Sequence, residues 1–242
     1  MTNLIKKYLQ KFIRFIFGSI KNDISYANYK RSLHGIMWER ALNSSADYIE
    51  KNLTNALIFK KKEDLWRFAA KLINNSNLSQ KNICLEFGVY NGYSINYFSK
   101  LLPCNTFYGF DSFEGLSVDW YGHTASKGTY TLKGLLPKTN KNVKLIKGWF
   151  DDTIHIFFKE NIANNHICFV HIDSDTFEAC EVVLNSLKKS ITKNLLILFD
   201  EYHGYPNWKN GEFRSWRNFA KKNNINYKYL AFSNEQCLIK VL

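Results

Sequence analysis

Asp173 and Asp175, in the stretch Phe169-Val-His-Ile-Asp-Ser-Asp175, and Asp200 with Glu201, in Leu195-Leu-Ile-Leu-Phe-Asp-Glu-Tyr202, are the residues of this chain best suited to chemistry. Each acidic pair closes a run of apolar and β-branched residues, the pattern of a strand buried on both faces. Both pairs are therefore expected at the carboxyl edge of one parallel sheet. Four carboxylates gathered there repel one another, and a hard divalent cation with oxygen ligands is the usual remedy. The plainer alternative is that the acidic residues cap the helices that follow. His171 alternates with Asp173 and Asp175, which puts all three on one strand face and leaves the ring as a base, as a partner of the carboxylates, or as a packed histidine. His123 is a further candidate base.

Upstream, the apolar run Asn82-Ile-Cys-Leu-Glu86-Phe-Gly88 passes through Tyr90-Asn-Gly92 and enters a helix at Ser94. Glycines there sit where backbone must turn tightly and approach a ligand, the layout of a cofactor loop. The spacing is not the G-x-G-x-x-G of dinucleotide binding, because Tyr90 holds the middle glycine position and the third glycine is missing. The next strand, Thr106-Phe-Tyr-Gly-Phe-Asp111, ends in an aspartate placed where an acidic side chain accepts hydrogen bonds from ribose hydroxyls.

Glu86-Phe-Gly88-Val-Tyr-Asn-Gly92, Gly109-Phe-Asp111-Ser112-Phe113-Glu-Gly115-Leu116, Lys147-Gly148-Trp149-Phe150-Asp-Asp-Thr153, His171-Ile-Asp173-Ser-Asp175 and Asp200-Glu201-Tyr202, taken in order, resemble the macrocin and novobiocin-type sugar O-methyltransferases. These form a branch of the class I methyltransferases that use S-adenosyl-L-methionine (SAM), and the resemblance spans roughly residues 82–220. It implies methyl transfer from SAM to a sugar hydroxyl, assisted by a bound magnesium ion, Mg2+. On that resemblance Glu86, Gly88 and Gly92 line the methionine part of SAM, Asp111 holds the ribose, and Gly148, Trp149 and Phe150 flank the adenine. Tyr90, Ser94, Ser112, Phe113 and Asp173 complete the implied cofactor contacts. Asp173, Asp200 and Glu201 hold the metal, with Glu201 standing where the family commonly has a second aspartate. Asp175 is the base, with His171 beside it, and an aspartate next to a cation is expected to ionise well below neutral pH.

The elements that must position these residues fit one domain. At 242 residues and 45% hydrophobic content the chain can bury one sizeable core, and no stretch reads as a linker, repeat or low-complexity segment. The expected fold class is α/β: a three-layer Rossmann-like SAM methyltransferase sandwich, with a seven-stranded, mostly parallel sheet ending in an antiparallel hairpin, plus N-terminal helices. Residues 1–75 are expected as a helical extension packed on the core and 76–242 as the methyltransferase domain. Helices are expected over 24–57 and 60–75, and a long polar-aromatic loop over Ser117 to Thr139 is expected to form a lid, an acceptor wall or a structural connection. Trp208 to Asn223 reads as a helix, and Tyr227 to Phe232 with Glu235 to Val241 as the hairpin. A dinucleotide fold would keep this sheet edge parallel.

Residues 3–20 carry Ile5, Leu9, Phe12, Ile13, Ile16 and Ile20 at helical spacing, with Lys6, Lys7, Lys11 and Arg14 on much of the other side. Charge interrupts the apolar run well short of a bilayer span, so this basic amphipathic helix either lies on a membrane surface or packs on protein, on the domain itself or in a homo-oligomer. The net charge of +12 comes from scattered short basic clusters without an RNA-binding motif, which argues against a nucleic-acid partner. Five cysteines, odd in number and without a C-x-x-C pair, fit a reducing cytoplasm, with the chain either free there or peripheral at the inner face of the membrane. The expected activity is O-methylation of a sugar hydroxyl in a bacterial surface glycan or a glycosylated metabolite. The alternatives are a membrane-associated protein that keeps SAM without turnover, and a nicotinamide-dependent oxidoreductase.

Overall fold

The structure, a computed structural model, describes residue 11 and residues 32–52, 55–75, 82–161 and 166–242. The amphipathic segment 3–20 and the start of the helix expected from residue 24 lie outside them, Lys11 apart. In chain order the elements are α1 (Leu33–Asn52), β1 (Leu57–Phe59), α2 (Lys62–Asn75), β2 (Asn82–Phe87), α3 (Tyr93–Leu101), β3 (Thr106–Asp111), β4 (Val143–Lys147), α4 (Phe150–Asn161) and β5 (His166–Ile172). There follow α5 (Phe177–Leu187), β6 (Leu196–Phe199), α6 (Glu212–Lys222), β7 (Tyr227–Ser233) and β8 (Gln236–Val241). Among the described residues one sheet runs β1-β7-β8-β6-β5-β2-β3-β4.

The middle of that sheet is parallel, and its strands are buried on both faces as their unbroken apolar runs require. Alternation along β2 sends Ile83, Leu85 and Phe87 into one apolar layer with Ile154, Phe157, Val183, Leu184 and Trp216, contributed by α4, α5 and α6. Cys84 joins the opposite layer, with Leu65, Trp66 and Ala69 of α2 and Ile95 and Phe98 of α3. A sheet between two helical layers results. Strands progress outward from β2 through β3 to β4, and the chain then returns to lay β5 on the other side of β2. That reversal is a topological switch point, where open α/β sheets bind ligands outside the carboxyl ends of their strands.

Three expectations change. The sheet has eight strands rather than seven, because Leu57–Phe59, expected as the last residue of one helix and the gap before the next, pairs in parallel with β7. Three residues are too few to show a period, and the open edge of β7 supplies the hydrogen bonds that recruit them. The helix expected over Trp208 to Asn223 is broken at Gly211 (φ −95°, ψ −139°) into a 3-10 turn, Trp208–Asn210, and α6. The third change, at Asp175, belongs to the site below. The antiparallel β7–β8 pair is present, with β8 also antiparallel to β6. Helix α1 is tied to the domain by Trp208 Nε1 donating to Ser44 Oγ (2.9 Å), by Gly204 N donating to Ser45 Oγ (2.9 Å) and by the Tyr48 and Tyr229 hydroxyls (2.7 Å). No helix among the described residues is long and apolar enough to cross a membrane.

Gly109 lets α3 lie close over β3. A Cβ there would stand 2.6 Å from Ile95 Cδ1 and 2.8 Å from Val89 Cγ2. Gly109→Ala should therefore overpack this layer and lower the unfolding free energy by about 1–3 kcal/mol, read from urea denaturation. An unchanged midpoint would mean that α3 does not need this close approach.

Candidate active site

A cavity of about 490 Å3 opens at the carboxyl ends of β2, β3, β5 and β6, across the switch point, within the usual range for small-molecule sites. Of the expected cofactor residues, Gly88, Tyr90, Asp111, Ser112, Gly148, Trp149, Phe150 and Asp173 line it, and so do Asp175, Asp200 and Glu201. Glu86, Gly92, Ser94, Phe113 and His171 do not. Phe113 is buried in the α2–α3 layer. Gly92 is the left-handed N-cap of α3 (φ 82°), one step behind the cavity wall. Lys62, which the sequence reading did not select, lines the cavity as well, and so does Tyr130 of the long polar-aromatic loop.

The glycine loop is built around Asp111. Its Oδ2 accepts from Val89 N and Tyr90 N (both 2.8 Å), and its Oδ1 accepts from Phe113 N (2.6 Å), so the carboxylate fixes both loops before any ligand arrives. Gly88 has φ 89°, and a Cβ on it would fall 1.7 Å from Asp173 O. Only glycine lets β2 run this close to the acidic loop. Tyr90, at φ 46°, packs edge-on to Tyr130, at φ 65°, with ring centroids 5.6 Å apart. Two non-glycine residues held in the left-handed region at one cavity wall are a mark of functional sites.

On the acidic side, His171 is fully buried, with Nδ1 donating to Glu86 Oε2 (2.9 Å) and Nε2 to Asp200 Oδ1 (3.1 Å). Both ring nitrogens are taken, and the ring does not face the cavity, so a role as catalytic base is corrected to that of a partner between two carboxylates. Glu86 is turned away from the cavity in the same way, its Oε1 accepting from Ser94 Oγ (2.9 Å). Strand β5 ends at Ile172, and Asp175 lies beyond it at φ 61°. Asp175 thus reaches the cavity from a tight turn, not by alternation along a strand. The capping alternative does not hold for either acidic pair. Thr176, not an aspartate, caps α5 by accepting from Ala179 N, and bends rather than a helix follow Glu201.

Two groups bring one potential ligand atom per residue within 4.8 Å of one another among the described residues: Asp173 with Asp175 and Glu201, and His171 with Asp173 and Asp200. Asp173 is common to both, while Asp200 and Glu201 fall in different groups. Glu201 is 7% exposed, and its Oε2 has no hydrogen-bond partner.

Residues 85–202 match the family model described as a methyltransferase domain. Over that stretch the chain is similar to a methyltransferase domain. Solved structures agree on its α/β Rossmann-like fold. CalS11, a calicheamicin methyltransferase, is 20% identical with a TM-score of 0.59, over 75% of this chain and 80% of that one. The O-methyltransferase NovP is 16% identical with a TM-score of 0.55, over 73% of this chain and 78% of that one. An O-methyltransferase from Bacillus cereus, in complex with SAH, is 14% identical with a TM-score of 0.50, over 89% and 96%. No curated protein matches the chain.

The site concentrates buried and half-buried carboxyl groups. Burial pushes Asp173, Asp175 and Glu201 well above the usual carboxyl range, reinforced by the charge of Asp200 on Asp173 and Glu201, and of Glu212 on Asp175. Burial alone would raise Asp200 too, but its hydrogen bond to His171 and that ring's charge hold it below its ordinary value. Burial would lower His171, and its hydrogen bonds to Asp200 and Glu86 outweigh that and hold it well above, so the ring is an imidazolium.

Glu212 is the functional residue that sequence reasoning missed. Fully buried at the first turn of α6, it accepts from Ser174 N (3.2 Å) and Ser174 Oγ (3.0 Å) on one oxygen and from Glu201 N (3.2 Å) on the other. It thereby ties the Asp173–Asp175 turn to the Asp200–Glu201 turn. Its sequence signal, an acidic residue opening an amphipathic helix after a glycine, is that of any helix start.

Burial pushes Glu212 up from 4.5 to about 7. The folded chain therefore keeps a proton that the unfolded chain has released, and stability present at low pH is lost as pH rises from 4.5 through about 7. Urea denaturation at a series of pH values should show this fall, on the order of 1–3 kcal/mol, and a smaller fall in Glu212→Gln, which cannot ionise. An equal slope in the variant would mean that Glu212 titrates normally.

Proposed function

We propose that this methyltransferase moves a methyl group from SAM to a hydroxyl of a sugar, in a bacterial surface glycan or a glycosylated metabolite, with a divalent cation held by its acidic turns. The observation that carries the reading is that one cavity at the switch point joins the Gly88 loop to the carboxylates of Asp173, Asp175, Asp200 and Glu201. Two neighbours in fold support the cofactor and the acceptor class: one was solved with SAH, and CalS11 is described as a TDP-rhamnose 3'-O-methyltransferase.

The residues fit both groups. Gly88 leaves backbone open beside Asp173, Asp111 Oδ1 keeps acceptor capacity after its one internal bond, and Trp149 and Phe150 offer flat apolar surface. For a cation, the donors are carboxylate oxygens, the hard set that Mg2+ prefers; Glu201 brings one carboxylate oxygen to Asp173 and Asp175, and its Oε2 has no hydrogen-bond partner. When bound, SAM supplies an electrophilic methyl whose sulfur takes the bonding pair as the acceptor oxygen attaches. A cation at Asp173 and Glu201, with Asp200 beside them, supplies charge that lowers the acceptor hydroxyl's pKa.

The chain's own residues do the remainder. Asp175 accepts the hydroxyl proton as general base. In the metal-free chain burial holds its carboxyl high, so its ionisation at neutral pH draws on neighbouring positive charge. Burial and the surrounding carboxylates push Tyr130 to about 12, which keeps its phenol protonated as a hydrogen-bond donor at the cavity wall. The acidic turns, pinned by Glu212, set the approach distance of the nucleophile.

Calorimetry should show SAM and its demethylated product binding. Asp111→Ala should weaken both by about ten- to hundredfold, the cost of a lost charged hydrogen-bond partner of about 1.5–3 kcal/mol. Binding of NAD without SAM would instead assign the cavity to hydride transfer.

Manganese titration followed by electron paramagnetic resonance should show a bound cation, and Glu201→Gln should lose it while keeping SAM. With a turned-over sugar acceptor, chelation should stop methylation and magnesium restore it. Asp175→Asn should lower kcat by about a hundred- to ten-thousandfold with SAM binding intact. Full activity of Asp175→Asn alongside a dead His123→Asn would move the base to that histidine.

A further inference from the structure

A second, smaller cavity of about 140 Å3 adjoins the first, sharing Asp175, Thr176 and Glu178 with it. One wall is the loop around Trp120 and Tyr121, between β3 and β4, and the other is the segment Tyr205 to Arg214 that leads into α6. The walls are built against each other. Asn207 Nδ2 donates to Tyr121 O (3.0 Å), and a Cβ on Gly122 (φ 91°) would stand 2.3 Å from Pro206 O, so only glycine permits this contact. Asn207 is itself left-handed (φ 69°), as is Asp175 across the cavity. Asn210 Nδ2 donates to Asn207 Oδ1 (2.7 Å), which fixes that amide's orientation.

Tyr205 points to a ligand. It is 1% exposed, yet among the described residues its hydroxyl makes no hydrogen bond of good geometry, the Trp120 side chain lying beside it. A Cβ on Gly211 would lie 2.1 Å from that hydroxyl, so the hydroxyl occupies the space a side chain there would fill and only glycine admits it. An unsatisfied buried hydroxyl costs about 1–3 kcal/mol, and a group kept at that cost in a cavity wall calls for a partner from outside. The rest of the lining is mixed: the Trp120 ring edge-on to Tyr205 at 5.4 Å, Tyr121 with 70% of its surface exposed, two amides, and the carboxylates of Asp119, Asp175 and Glu178.

We propose that this cavity is the acceptor subsite, taking a single uncharged pyranose ring with the hydroxyl to be methylated turned toward Asp175. The inference rests on the sugar O-methylation reading above and adds the place, size and charge of the acceptor. A pyranose has a flat face of C–H bonds, which suits an aromatic wall, and a rim of hydroxyls, which suits amides and carboxylates. The volume corresponds to roughly five waters at ~30 Å3 each, far below the space a drug-sized ligand needs. The carboxylates of Asp119 and Glu178, against one cation, Arg214, whose guanidinium lies over the Phe177 ring at 4.9 Å, accept from neutral hydroxyls and repel a uronic acid.

Saturation-transfer NMR on the full chain with S-adenosylhomocysteine tests this, using methyl rhamnoside, methyl glucoside and methyl glucuronide as probes. The neutral glycosides should give signal and the glucuronide little. Tyr121→Ala, at an exposed position, and Tyr205→Phe, which removes only the unpaired oxygen, should each reduce the neutral signal at least about fivefold, the effect of losing a hydrogen bond or stacking partner of about 1 kcal/mol. Calorimetric SAM affinity should stay within twofold. SAM binding without any glycoside signal, glycoside signal unchanged in both variants, or preference for the glucuronide would each overturn the subsite while leaving methyl transfer standing. Absence of SAM binding in the unaltered chain would remove the parent reading and the subsite with it.

Discussion

The constraint on which the rest of the structure depends is the gathering of buried and half-buried carboxyl groups at one edge of one sheet. Asp173, Asp175, Asp200, Glu201, Glu212 and Glu86 converge there, and the His171 imidazolium is the internal cation that the fold sets between two of them. An unpaired buried charge is worth several kcal/mol against folding, so removing the ring would leave Glu86 and Asp200 facing each other across a cavity in a low-dielectric interior. The hydrogen bonds around this cluster also connect its parts. Glu86 reaches Ser94 in the first turn of α3, and Glu212 joins the two acidic turns. The glycine loop and the acidic turns are therefore one polar network laid through the layer of apolar side chains beneath it.

That network follows from the order of the strands. Parallel strands deliver their carboxyl ends to the same edge, and the reversal between β2 and β5 opens a crevice there. The antiparallel β8 then closes the other flank of β6. Gln236 at its start donates to Asp200, and the same side chain accepts from Trp66 Nε1 of α2 at 2.9 Å. Helix α2 is thus bonded to the acidic edge through one glutamine. It also carries Lys62 into the cavity wall, with its ammonium 5.2 Å from the Trp66 ring. The region before β2 contributes to the site, which follows from packing and not from any motif in it.

What was legible in the sequence was what repeats or is spaced by backbone geometry. Unbroken apolar runs marked β2, β5 and β6, and their acidic endings marked the sheet edge, because a buried parallel strand can end in charge only where it emerges. Gly88 was legible because tight turns need glycine. The pairing of His171 with Glu86 and Asp200 was not, since its partners come from β2 and β6, and only the fold brings those strands to either side of β5. Nor was the left-handed turn at Asp175, where an alternating reading continued the strand three residues too far. β1 was hidden by its three-residue length, and Glu212 by resembling an ordinary helix start. In each case the missing information was a tertiary partner.

The presence of glutamate rather than aspartate at position 201 becomes intelligible in this light. Asp200 Oδ1 is already engaged by His171 and Gln236, so that carboxylate is drawn toward the interior side of the edge. The oxygen meeting Asp173 and Asp175 must then come from the next residue, whose backbone N–H is pinned by Glu212. A side chain longer by one methylene can leave that pinned position and still bring a carboxylate oxygen to the two aspartates. The longer arm and the buried clamp act together. Glu212 fixes where the turn starts, and Glu201 spans what remains. Shortening the arm or releasing the clamp would leave the same carboxylates in the fold without the arrangement in which three of them can share one ion.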